Sequence, residues 1–116
     1  MLAKTNRLKK NKDIERVFKV GRALKEDFLI LKTAKNNLDK IRFCFVVSNK
    51  ISPKATVRNR LKRKLSELVR TKLKTLKSGT DNILIASPGL EIKDFWEIEE
   101  SLNKLFLKAR ILKKAR

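Results

Sequence analysis

The stretch IRFCFVVSNKISPKATVRNRLKRKLSELVRTKLKTLKSGTDNILIAS, residues 41–87, carries the strand–helix–strand pattern on which the fold turns. Its first eight residues alternate: Ile41, Phe43, Phe45 and Val47 share one face, Arg42, Cys44, Val46 and Ser48 the other, as in a strand with one buried side. Residues 51–57 read as a loop around Pro53. From Arg58 the period lengthens, and Leu61, Leu65, Leu68, Val69, Leu73 and Leu76 recur at helical spacing up to a stop at Ser78-Gly79. Residues 82–87 (NILIAS) form the second strand, closed by a Pro88-Gly89 turn.

Working outward, residues 28–35 (FLILKTAK) read as another strand, and Asn36, Asn37 and Asp39 supply turn chemistry before residue 41. An antiparallel hairpin of 28–35 with 41–48 is therefore expected, with a short strand near residues 22–25 ahead of it. Asn11 is placed to cap a helix from about Lys12, with Asp13 and Glu15 in its first turn, Ile14, Val17 and Phe18 as its apolar stripe and Gly21 as its stop. A last helix starts near Asp94, whose capping-box partner is Glu97; Phe95, Ile98, Leu102, Leu105, Phe106 and Ala109 form its buried stripe. The order αβ(β)βαβα predicts one α/β sandwich domain, residues 1–116, with helices packed on a single sheet.

Charge narrows the function. The chain of 116 residues holds 31 Lys+Arg against 12 Asp+Glu, net +19, yet 41% of it is hydrophobic, enough to fold. Residues 1–80 carry 24 basic and 6 acidic residues, whereas 81–116 carry 7 and 6, so the partner surface belongs to the first two thirds. A compact domain with that self-repulsion calls for a polyanion: nucleic acid, with an anionic membrane or plain solubilisation as the alternatives. The lone cysteine, Cys44, excludes a disulfide framework and a thiol metal site and fits a reducing compartment. No stretch is apolar enough to span a membrane, and the N-terminal MLAKTNRLKKNKD lacks the apolar segment of a secretory signal, so a cytoplasmic protein is expected.

The cations concentrate between Lys50 and Lys77, where 28 residues hold 11 basic side chains and one acid, Glu67. Arg58, Arg60, Lys62, Arg63 and Lys64 fall in two helical turns, with Asn59 between them, and Arg63, Arg70, Lys74 and Lys77 line the side opposite the leucines. A solvated face ordinarily mixes signs, and cations stacked at a helix start oppose its dipole, so this face reads as a comb for phosphate. Arginine offers a bidentate fork to phosphate, and asparagine can pair with a base edge or 2′-OH. Lys50 and Lys54 extend the comb into the preceding loop. With no histidine or tyrosine, the usual acid/base and nucleophile sets are missing, so the chain by itself does not read as an RNA-cutting enzyme.

These residues carry a resemblance. Val47-Ser48-Asn49-Lys50-Ile51, then Arg58-Asn59-Arg60-Leu61-Lys62-Arg63 and Glu67, resemble the signature of the bacterial ribonuclease P protein component. Asn6-Arg7-Leu8-Lys9-Lys10-Asn11, Val17-Phe18-Lys19, Gly21 and Asp81-Asn82-Ile83-Leu84-Ile85-Ala86 match that family in order and spacing, so the likeness covers nearly the whole chain. It implies an αβββαβα two-layer sandwich (α+β) with a mixed sheet and a left-handed parallel crossover, where handedness statistics alone predict a right-handed one. It also implies the role of protein subunit in the ribonucleoprotein that removes the 5′ leader of precursor tRNA. The helix with Arg58-Asn59-Arg60 would contact the catalytic RNA, and Mg²⁺ would be held mainly by that RNA. Arg7, Ile14, Phe18 and Leu31 would meet the single-stranded leader in a cleft between the first helix and the sheet. Phe18 stays open between a stacking platform and plain core.

The pattern also departs from the family. Asn49 stands where lysine is usual, Ser52 where glycine is common, Ser66 where arginine usually precedes Glu67, and Ile14 where the leader cleft often has an aromatic. A ribosomal structural protein shares the charge and the size, and the RNA that co-purifies separates it from the ribonuclease P reading.

Overall fold

In the computed structural model, which describes residues 2–113, the order is α1 (Asn11–Val20), β1 (Arg22–Glu26), β2 (Leu29–Lys35), β3 (Arg42–Val46), α2 (Ala55–Lys72), β4 (Thr80–Ala86) and α3 (Phe95–Ala109). The four strands form one mixed sheet in the order β1-β2-β4-β3. β4 runs antiparallel to β2 (Leu31 opposite Leu84) and parallel to β3 (Phe45 opposite Leu84). The β2–β3 hairpin expected from the intervening Asn36-Asn37-Asp39 does not form. The turn is there, with Asn37 at φ 57, but it leads the chain past the place that β4 later fills. β4 is the most continuously buried strand, and in the centre it has both edges of its backbone paired. The weakly marked first strand is real and forms a true hairpin with β2.

The two sheet faces do different work. Leu29 and Leu31 of β2, Phe43 of β3 and Leu84 and Ala86 of β4 meet Leu61, Leu65, Leu68 and Val69 of α2 and Ile98, Leu102, Leu105 and Phe106 of α3 in the main core. α1 lies across the other face on a small cluster, where Val17 meets Leu8 and Ile83 with Ile14, Ala34, Cys44, Val46 and Ile85 packed around them. So small a cluster is reinforced by charge. Asp81 on β4, fully buried, accepts Nε and Nη2 of Arg42, each at 2.7 Å, and Nη2 of Arg16 on α1 at 2.8 Å. Asn36 Nδ2 adds a fourth bond at 2.8 Å.

Element ends depart from the sequence reading in several places. Lys10, not Asn11, is the N-cap of α1, and it makes no side-chain capping bond. Gly21 does stop α1, because a Cβ there would sit 2.4 Å from Val17 O and 2.9 Å from Thr33 O; only glycine lets the helix end touch β2. α2 begins one turn early, at Ala55, and ends at Lys72 rather than near Ser78. A 3₁₀ turn, Leu73–Thr75, follows, with Thr71 and Thr75 hydroxyls donating to Leu68 O and Lys72 O, each at 2.7 Å. Leu76 is still buried, but it pairs with Leu112 as a β-bridge. The Asp94–Glu97 capping box of α3 forms as read, at 2.8 and 3.2 Å. Phe95 is not part of the buried stripe: it is half-exposed, in edge contact with Trp96, which is 72% exposed.

Candidate nucleic-acid interface

The α2 surface is built by the leucine stripe. With Leu61, Leu65, Leu68 and Val69 turned into the core, Asn59, Arg60, Lys62 and Arg63 are left exposed on the opposite side, and Lys64 half-buried beside them. No acid stands in the first turn, so the helix's positive end adds to the side-chain charge rather than being neutralised. The earlier start of α2 brings these cations nearer the body of the helix and makes Lys54 its N-cap.

Two of the expected teeth differ from the rest. Arg58 is half-buried and its Nη1 donates to Ser52 O at 2.9 Å, bracing the loop that presents Lys50 and Lys54. Ser52 Oγ also accepts Lys54 N at 3.1 Å and Ser48 Oγ accepts Lys50 N at 3.3 Å, while Ile51 anchors the loop in the core. Ser52 thus does by side-chain bonding what the loop needs for its turn. Arg70 is exposed, but its Nε donates to Glu67 Oε1 at 2.8 Å, so its charge is shared within the helix. Lys74 and Lys77 are exposed but lie beyond the helix end.

The proposed leader residues are separated by the fold. Val17 is the α1 residue that goes into the core; Phe18 is 43% exposed, with the Lys32 ammonium 5.4 Å from its ring centroid and 3.3 Å from its carbonyl oxygen. The open choice for Phe18 falls on the accessible ring. Ile14 is half-buried on the same side. Leu31 is corrected: it is 0% exposed in the main core, on the sheet face opposite α1, and cannot meet a strand lying on the α1 face. Strand alternation puts Ile30 and Lys32 on that face instead. Arg7 is bonded through Nε to Leu2 O and opens beside Lys62 and Arg63 at the β3 edge, away from Phe18. Reading strand parity in FLILKTAK would have found Lys32; nothing in the sequence marked Phe45, which alternation assigned to the core and which is only partly buried.

The Ribonuclease P family model matches residues 2–110. The chain belongs to the ribonuclease P protein family. The ribonuclease P protein component of Alkaliphilus metalliredigens is 35% identical over 107 residues, covering 92% of this chain and 96% of that one. That of Clostridium acetobutylicum is 35% identical over 111 residues, covering 94% and 92%. Among solved structures, the RNase P protein of Staphylococcus aureus superposes with a TM-score of 0.86 at 27% identity, covering 95% of this chain and all of that one. The RNase P protein of Thermotoga maritima gives 0.77 at 34% identity, covering 85% and 94%. As a ribonuclease P protein, the chain is a subunit of a ribonucleoprotein, and α2 is its most cation-dense exposed surface.

Proposed function

We propose that the chain binds the ribonuclease P catalytic RNA through α2 and the 5′ leader of precursor tRNA through the α1 face, promoting removal of the leader to give the mature tRNA 5′ end. The observation that carries this reading is the α2 comb: Asn59, Arg60, Lys62 and Arg63 exposed along one rigid helix of a ribonuclease P family chain with net charge +19. In this reading the RNA hydrolyses the phosphodiester. The protein lowers the repulsion between two polyanions and holds the leader, with Phe18 as a stacking surface and Lys32 as its nearby cation. Among the described residues no three His, Cys, Asp or Glu side chains gather to hold a metal, and in this reading Mg²⁺ is held mainly by the RNA. The work would be done in the cytoplasm; no helix among the described residues is long and apolar enough to cross a membrane.

The test is single-turnover cleavage and substrate affinity across Mg²⁺ concentrations, with and without protein, for long and trimmed leaders. The protein should improve precursor capture most at low Mg²⁺, and precursor more than mature tRNA. Equal stimulation at every Mg²⁺ level eliminates charge screening, and equal affinity for precursor and mature tRNA eliminates the leader face.

A further inference from the structure

A groove at the edge of β3 lies where the flank of the α2 comb meets the segment that precedes α1, and Leu8 and Cys44 of the α1-face cluster border it. The chain just before α1 runs along β3, with Arg7 bridged to Phe43 and Leu8 N donating to Phe43 O at 2.8 Å. Between this segment, β3 and α2 lies an open groove of about 260 Å³. Its floor is apolar, with Leu2, Leu8 and Cys44 around the partly exposed ring of Phe45, which is backed by the buried Phe43 ring with planes 9° apart and centroids 6.3 Å apart. Its rim is cationic, with Arg7, Lys9, Lys62 and Arg63, and among the described residues no carboxylate lines it. Between the two α2 cations on the rim, the helix turns only the short side chain of Ser66, 8% exposed, toward the groove; a longer side chain there would fill it.

An apolar floor holding an aromatic ring and rimmed by cations matches a ligand with a flat π face and anions a few ångströms from it. A nucleotide in a single strand has that form, and stacking on phenylalanine accepts every base. The size is that of one heterocycle, below the ~300–1,000 Å³ of pockets for drug-sized ligands. We propose that this groove takes an unpaired nucleotide of the catalytic RNA, its base against Phe45 and its flanking phosphates against Lys62 and Arg63. The assignment rests on the reading of α2 as the RNA-binding helix. The RNA subunit is the source because Lys62 and Arg63 belong to the α2 comb, so the occupant of the groove is continuous with whatever covers α2. A leader on the α1 face lies against the other side of the sheet from the Phe43–Phe45 pair.

Titration of the full-length protein with adenosine 5′-monophosphate and with ribose 5-phosphate, followed by the backbone amide signals in NMR, tests the base. The nucleotide should move Arg7, Cys44, Phe45 and Ser66 and saturate at about tenfold lower concentration than the sugar phosphate. Ser66→Met, which fills the groove without adding or removing charge, should abolish that difference. It should also weaken binding of the catalytic RNA about tenfold with an unchanged salt slope, because no phosphate contact is lost. Phe45→Leu serves as the second variant, with the same expectation, should Ser66→Met fail to give a native spectrum. Equal responses to the two ligands, or shifts confined to residues around Phe18 and Lys32, overturn the proposal. Catalytic RNA carrying 4-thiouridine should crosslink to Cys44 or Phe45; crosslinks there only from a labelled leader overturn the choice of source. Failure of the wild-type chain to bind catalytic RNA at all defeats the parent reading instead.

Discussion

Asp81 shows how much of the α1 attachment hangs on one carboxylate. Burial pushes its carboxyl up, but the bonds from Arg42 and Asn36 and the charges of Arg42 and Arg16 outweigh burial and hold it below the ordinary aspartate range. A depressed folded value means that the stabilisation is complete above the unfolded pKa of ~3.9 and is lost as pH falls through the folded value. Urea denaturation of the wild type should therefore show stability falling as pH drops below about 4, with part of that fall absent in Asp81→Asn. At neutral pH the same variant leaves Arg42, only 15% exposed, with just the longer 3.5 Å pair to Asp13, and should lose about 3 kcal/mol. A stable Asp81→Asn would show that the small α1 cluster suffices by itself. Thr33 is the opposite case. Its Oγ1 is buried with no partner among the described residues, so Thr33→Val, of the same shape, should raise stability by roughly 1 kcal/mol in the same assay.

α2 is the element whose function and fold are easiest to pull apart by mutation. Arg60 is exposed and serves no loop or core contact among the hydrogen bonds described, whereas Arg58 braces Ser52. Arg60→Ala should weaken assembly with catalytic RNA by about 1.5–3 kcal/mol while the melting temperature stays put. Arg58→Ala should lose a similar RNA contribution and also about 1 kcal/mol of stability, read from thermal melts run beside the binding assay. At the other end of the fold, Asp94→Ala removes the capping box of α3 and should cost ~1 kcal/mol in stability with RNA binding intact. The cation comb and the capping box were legible because each depends on spacing along a single element. The β2–β3 hairpin was misread because strand partners are chosen across the chain: β4, apolar on both faces, outcompetes a near neighbour for the place beside β2. The end of α2 escaped for a related reason. Leu73 and Leu76 keep helical spacing, yet Leu76 is buried by a bridge to Leu112, a partner that no local pattern reveals.

At the scale of the whole molecule, charge and apolar surface are sorted to different places. If about five cations of the comb engage phosphate, log K for catalytic RNA should fall with log salt at a slope of roughly −3.5 to −4.5. A slope near zero in a salt-titrated binding assay would remove phosphate contacts as the source of affinity. Opposite in character is the start of α3, where Glu91, Asp94, Glu97, Glu99 and Glu100 flank Phe95 and Trp96 along the chain, with Lys93 paired to Glu97, Lys72 to Glu99 and Lys104 to Glu100. Trp96 is the one indole of a chain without tyrosine, and it already stands in water when the protein is folded. Its emission in the native state is that of a wet indole, so loss of the core will hardly move its wavelength. The intrinsic fluorescence of this protein is thus nearly blind to unfolding, and the melts proposed above have to be followed by the circular dichroism of the helices.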